Sequence, residues 1–166
     1  MTKPRSMWPW LFPQTGDVLL DTVRSIPGWL AQNEIIALNY FAKEAIKKSD
    51  KNEFLVEIGS FLGRSTVAIA IACKNLNKCK VLAVDPHMNS DTHKYMKVKN
   101  SLVGLKKNLT HYKLLEYVII EKTSSPNAYS KYNKINTNFL FLDGDHRYKN
   151  VSKDFSMWSK VLNYGG

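Results

Sequence analysis

Four short stretches of this chain carry residues whose types and spacing could do chemistry together. The first is Glu57-Ile58-Gly59-Ser60-Phe61-Leu62-Gly63, with Ser65 just behind it: a carboxylate two residues before one glycine and six before another. The second is Asp85, followed by His87. The third is the hydroxyl pair Thr123 and Ser124, and the fourth is Asp143-Gly144-Asp145-His146. Two carboxylates and an imidazole within four residues can hold a divalent cation or place a general base. Imidazole is a poorer magnesium ligand than carboxylate oxygen. Asp143 and Asp145 are therefore the metal candidates, and Asp143 and His146 the candidates for proton transfer or acceptor contact. The competing reading is structural, with an aspartate capping the final helix and His146 bonded locally. His87 could touch a ligand, line an acceptor wall or sit in a solvated loop.

These residues need elements to position them. The apolar run Phe54–Ile58 leads into the glycines, and Val67-Ala-Ile-Ala-Ile-Ala72 follows, so the motif reads as strand, tight turn and helix. Such a junction sets helix N-terminal amides beside a strand end, where a polar ligand can be held. Further strands are expected at 78–85, 117–120 and 137–142. Helices are expected over 29–47, 65–74, 99–109 and 125–131, and a closing helix is marked by Val151, Phe155, Trp158 and Leu162 at spacings of four, three and four. Residues 87–98, with Asp91 and His93, read as a polar loop. Strands alternating with helices predict an α/β fold with an open parallel sheet, Rossmann-like, in which ligands bind beyond the carboxyl ends of the strands. All four chemical stretches fall there.

The glycine spacing is not G-x-G-x-x-G, because a dinucleotide site wants its middle glycine where Ser60 or Phe61 stands. No Gly-Lys-Ser phosphate cradle is present either. Glu57 would repel phosphate but could pair with an ammonium, while Asp85, about 20 residues past the loop, suits a ribose diol. A cofactor with a ribose, an ammonium and no phosphate satisfies both, and S-adenosylmethionine fits that description.

VEIGSFLGRST, VLAVD and NFLFLDGDHRYKNVSKDFSMWSKVLNYGG together resemble the class I S-adenosylmethionine-dependent methyltransferases, in particular the methyltransferase domain 24 type, over Leu55 to Gly166. The resemblance implies that Glu57, Gly59, Ser60, Gly63 and Ser65 cradle the cofactor's methionine part, that Asp85 binds the ribose hydroxyls, and that Thr123 and Ser124 border the adenine. It implies O-methylation of a small molecule or sugar, with Mg2+ on Asp143 and Asp145 orienting and acidifying the acceptor hydroxyl. Members of the family have about seven strands, whereas this chain reaches Gly165-Gly166 after four. The expected sheet is therefore cut after its fourth strand and following helix, with the acceptor pocket completed by the N-terminal arm or a second copy. A domain that binds the cofactor without turnover is the alternative.

Length and composition suit one domain: 166 residues, 44% hydrophobic and 23% charged. Residues 1–27 hold four of the six prolines and are expected to form an irregular arm, with Trp8, Trp10, Leu11 and Phe12 packing back or meeting a partner. Residues 28–166 then form the cofactor-binding domain. The net charge of +10 favours anionic partners, but the lysines are scattered among asparagines, so a nucleic-acid partner is a minor reading. Two cysteines imply neither a disulfide framework nor a four-ligand zinc site. With no membrane span and no clean signal peptide, the cytoplasm is the expected compartment.

Overall fold

The aliphatic runs Phe54–Ile58 and Lys80–Val84 become β1 and β2, the two central strands of a four-stranded, all-parallel sheet. In the computed structural model, which describes residues 16–88 and 91–165, β3 (Val118–Glu121) and β4 (Leu140–Leu142) flank them in the order β3-β2-β1-β4. The register sets Ile58 against Val84 on one side and Leu142 on the other, and Val84 against Glu121. The strand ends that carry the candidate residues therefore lie side by side.

Seven helices are described: α1 (Val18–Arg24), α2 (Gln32–Lys48), α3 (Arg64–Leu76), α4 (Asp91–Met96), α5 (Ser101–His111), α6 (Ser125–Tyr132) and α7 (Tyr148–Trp158). Alternation along the strands sends Leu55, Val81 and Ala83 to one face, where they pack with α1, α2, α3 and α5. Val56, Ile58, Leu82 and Val84 face the other way, onto Ala128 of α6 and Trp158 of α7. Helix α3 is apolar nearly all round because α2 covers its outer side; Asn39 of α2 reaches in to donate to the Ala68 carbonyl at 2.8 Å. The chain leaving β1 turns to the first face, and the chain leaving β4 turns to the second. A crevice opens where such crossovers diverge, between β1 and β4.

Several local expectations need correction. The region expected to be an irregular arm contains α1, whose N-cap Asp17 accepts the Leu20 amide at 3.0 Å; the aromatic cluster at residues 8–12 lies outside the described residues. The polar loop after β2 contains the short helix α4. Strand β4 is half the expected length because the Thr137 hydroxyl bonds the Phe54 and Phe139 carbonyls, and Thr137 makes a lone parallel bridge to Leu162. The closing helix stops at Trp158, and a single tight turn carries the chain to Leu162. No helix among the described residues is long and apolar enough to cross a membrane.

Trp158 is fully buried, stacks edge-on to Tyr129 at 5.5 Å and donates its indole N–H to Ser125, whose hydroxyl donates to Asp154. Trp158→Ala is expected to destabilise the fold by about 3–5 kcal/mol in urea unfolding, from lost burial and the cavity left behind.

Candidate cofactor and acceptor site

Gly59 and Gly63 shape the loop between β1 and α3, and both hold positive φ (96° and 91°). At Gly59 the reason is contact. A Cβ there would fall 2.3 Å from the Asp143 carbonyl oxygen and 2.7 Å from the Gly144 Cα, so only a hydrogen fits between the two loops. The Gly59 amide donates to Val84 and the Asp143 amide to Ile58, each at 2.8 Å, which ties three strand ends together. Gly63 is the left-handed N-cap of α3, and a Cβ on it would meet Leu105 at 2.5 Å. Between the glycines, the Ser60 hydroxyl is buried with no hydrogen-bond partner among the described residues.

Glu57 lies beneath this loop, 0% exposed. One carboxyl oxygen accepts the Thr66 hydroxyl at 2.6 Å, and the other has no partner among the described residues. Burial pushes the carboxyl up to about 8, although the Ser65 and Thr66 hydroxyls favour the charged form. The structure thus places Glu57 behind the cradle under the first turn of α3, together with buried Ser65. It is not at the open surface.

Asp85 closes the cradle from the β2 side. Its Oδ2 accepts the Phe61 amide at 2.9 Å and its Oδ1 accepts the His87 amide at 2.6 Å. Each carboxylate oxygen has about two acceptor positions, so each keeps one for a further donor, a pattern suited to two adjacent hydroxyls. His87 is buried rather than solvated, and burial pushes its imidazole below the usual range against the pull of Asp85. At β3, Thr123 is half-buried, while Ser124 is exposed as the N-cap of α6. Phe61, His93 and Ser101 also meet beside Asp85, while Thr66 bonds Glu57 beneath the loop, and sequence reasoning assigned none of them a role.

The β4 loop forms the opposite lip. Asp143 touches Gly59 through its backbone; its side chain is 41% exposed, and partial desolvation by the surrounding loops raises its carboxyl above the usual range, with His146 opposing the rise and Glu34 adding to it. His146 is 83% exposed, its Nε2 3.8 Å from Asp143 Oδ1, an ion-pair distance rather than a hydrogen bond. Asp145 is engaged elsewhere. It accepts the Arg147 guanidinium through both oxygens, the Arg147 amide at 3.0 Å and the Asn150 amide group at 2.7 Å, which holds its carboxyl well below the ordinary range. The expected metal pair therefore does not form: Asp145 closes the turn ahead of α7. Among the described residues no group of three or more His, Cys, Asp or Glu could hold a metal ion, and with Asp145 taken up by Arg147 and Asn150 the expectation of magnesium on this pair is not supported. A cavity of about 690 Å³ runs along β4 against α2, lined by Glu34, Phe41, Phe139 and Phe141 among others, and reaches Asp143. It adjoins the acceptor lip and not the glycine cradle.

Residues 56–166 match the model of a methyltransferase domain family. The chain belongs to that family. It is 31% identical over 114 residues to an uncharacterised protein of Acanthamoeba polyphaga mimivirus, covering 67% of this chain and 47% of the relative. Among solved structures it is similar to a candidate caffeoyl-CoA O-methyltransferase of Staphylococcus aureus (16% identity, TM-score 0.61, 87% of this chain and 58% of that one). It is also similar to a candidate O-methyltransferase of Klebsiella pneumoniae (19%, 0.57, 78% and 55%), and to the S-adenosylmethionine-dependent methyltransferase of Agrobacterium tumefaciens (11%, 0.59, 82% and 43%). This methyltransferase domain thus spans about half the length of the proteins it matches, and at these identities the structural likeness shows the fold alone. The orphaned Ser60 hydroxyl, the unpaired Glu57 oxygen and the two remaining acceptor positions on Asp85 fit the donors of S-adenosylmethionine.

The buried Glu57 gives a stability test. Between the ordinary glutamate value of 4.5 and about 8, the folded state keeps a proton that the unfolded chain has released. Stability from this group therefore falls as pH rises through that window. Glu57→Gln is expected to flatten the decline and to exceed the parent in urea unfolding at pH 8 by roughly 1–3 kcal/mol.

Proposed function

We propose that this methyltransferase domain binds S-adenosylmethionine across the Gly59–Gly63 loop and Asp85, and transfers its methyl group to a hydroxyl of a small-molecule or sugar acceptor held at the Asp143 lip. The observation that carries the reading is Asp85: a carboxylate fixed by two backbone amides, one per oxygen, with one acceptor position left on each for a ribose diol. Ser60 would receive the cofactor's methionine part, with Glu57 supporting the loop from below as the counter-charge for its ammonium. Thr123 and Ser124 would border the adenine. The bound cofactor supplies an electrophilic methyl on a sulfonium sulfur. The protein's part would be to align an acceptor hydroxyl with that methyl group and to take the hydroxyl proton on a base.

Asp143 and His146 are the groups that could take that proton. Asp143 is the better held, with its amide on Ile58 and its carbonyl against Gly59, and its raised carboxyl is a stronger base than an ordinary aspartate. His146 extends beside it into solvent and suits the acceptor side. Alignment of the reacting atoms and exclusion of water account for most of the rate in such a transfer. The apolar side chains of the neighbouring cavity favour a small organic acceptor over a polyanion. Cofactor binding without turnover is the second reading, favoured by the exposure of His146. We place the protein in the cytoplasm, a reading supported by two cysteines that are both buried free thiols.

Two measurements test this. In calorimetry the protein should bind S-adenosylmethionine and S-adenosylhomocysteine competitively, and Asp85→Ala should weaken both by about 10- to 100-fold, the loss of one or two charge-assisted hydrogen bonds. No heat with either ligand would overturn the proposal. In transfer assays with labelled cofactor against a panel of small hydroxylated compounds, Asp143→Asn should lower turnover by about 100-fold or more, with cofactor affinity little changed. The active carboxylate form is lost as pH falls, so the acid limb should lie above the ordinary aspartate range. Turnover surviving in Asp143→Asn removes that residue from the mechanism.

A further inference from the structure

Asp85 sits in a closed ring of contacts that reaches well beyond the cradle. Its Oδ2 accepts the Phe61 amide. The Phe61 ring meets the His93 ring edge-on, with centroids 5.1 Å apart. His93 Nε2 lies 2.8 Å from Ser101 Oγ, and that oxygen lies 2.9 Å from His87 Nδ1. The His87 amide returns to Asp85 Oδ1 and closes the ring. Ser101, His87 and His93 are all buried. The ring therefore stitches the β1 loop, the β2 loop, α4 and α5 to one carboxylate.

The backbone explains why such bracing is needed. Both residues that donate an amide to Asp85 are non-glycine residues in the left-handed region, Phe61 at φ 42° and His87 at φ 56°. That conformation is costly for a side chain with a Cβ and persists only where surrounding structure enforces it. The enforcement is visible in the side chains: the Phe61 ring is held by His93 and Trp29, and the His87 ring by Ser101.

Ser101 has a single proton to share between two imidazoles, so the chain has a direction. With His87 donating from Nδ1 to Ser101, and Ser101 donating to His93, the nitrogen that carries the proton also lies 3.7 Å from Asp85 Oδ1. The reverse direction turns a lone pair toward the carboxylate.

We infer that Ser101 and His93, acting through His87 and Phe61, are positioning residues that hold the Asp85 carboxylate in the orientation that receives a ribose diol. The inference rests on the proposed cofactor site and adds residues from α4 and α5 to it. Removing the Ser101 hydroxyl frees the His87 ring, lets its left-handed backbone relax, and swings its amide away from Asp85. The ligand-facing lone pairs of Asp85 then lose their fixed direction. Ser101 touches no ligand itself.

The test uses S-adenosylhomocysteine and its 2′,3′-dideoxy analogue as calorimetric probes. The variants are Ser101→Ala and His93→Leu, each checked for folding by thermal melting. Either variant is expected to bind S-adenosylhomocysteine about 10-fold more weakly, the effect of one misdirected buried hydrogen-bonding group. The dideoxy analogue, which offers Asp85 no hydroxyls, should lose less than about 3-fold, and in an Asp85→Asn background Ser101→Ala should add nothing, because the two act as one unit. Ser101→Thr, which keeps the hydroxyl, should restore most of the affinity. Equal losses for both probes, or losses that add to Asp85→Asn, overturn the inference while leaving the cofactor site standing. If one variant does not fold, the other decides on the same criteria. No binding of S-adenosylhomocysteine by the parent overturns the cofactor site, and this inference with it.

Discussion

The contact on which the site depends is the approach of Gly59 to the backbone of Asp143 and Gly144. With a Cβ only 2.3 Å from a carbonyl oxygen, any other residue would force the β1 and β4 loops apart. Their contact fixes the two lips of the crevice relative to each other, because the amides of Gly59 and Asp143 are committed to neighbouring strand ends. A parallel sheet supplies the crevice, but it does not by itself bring the lips within reach of one reacting pair. The missing side chain does that. The cost is entropic, since glycine surrenders more backbone freedom on folding than any other residue.

The two lips differ in character. On the cofactor side nearly every polar group is buried and committed: Glu57 to Thr66, Asp85 to two amides, His87 and His93 to one serine. Among the described residues the exceptions are the Ser60 hydroxyl, one Glu57 oxygen and His87 Nε2, and buried polar atoms without partners are uncommon enough to indicate a ligand or bound water. On the acceptor side the polar groups are exposed, and Asp145 and Arg147 neutralise each other in the turn. Rigidity on one side and solvent access on the other suit a site that holds one ligand the same way each cycle and admits another.

Much of this was legible in the sequence where residue type alone carries the constraint. Gly59 and Gly63 stand where the backbone needs positive φ, and Asp85 ends a buried strand, so their placement followed from pattern. Glu57 was correctly placed on β1, but not its depth, because burial depends on the first turn of α3 folding back over it. The ring through Phe61, His93 and Ser101 left no trace. It joins residues 40 apart through side-chain geometry that no periodicity encodes. Helix α1 did leave one: Asp17 ahead of Val-Leu-Leu is an N-cap followed by an apolar run, obscured by the neighbouring prolines. Strand β4 is shorter than its sequence suggests, because the Thr137 hydroxyl competes for the backbone groups that pairing requires.

Charge distribution bears on what the crevice can hold. Of 24 lysines and arginines against 14 acidic residues, the excess is positive, yet Glu57, Asp85, Asp143 and Glu34 gather at or beside the carboxyl ends of the strands. A nucleic-acid backbone entering there would meet carboxylates at short range, where low dielectric makes the repulsion costly. A cationic ligand would meet attraction in the same place. Glu57 adds little negative charge to the empty crevice at neutral pH, because burial pushes its carboxyl up to about 8. In the empty fold, holding that proton at a pH where the unfolded chain has released it costs stability, in keeping with the gain expected of Glu57→Gln at pH 8.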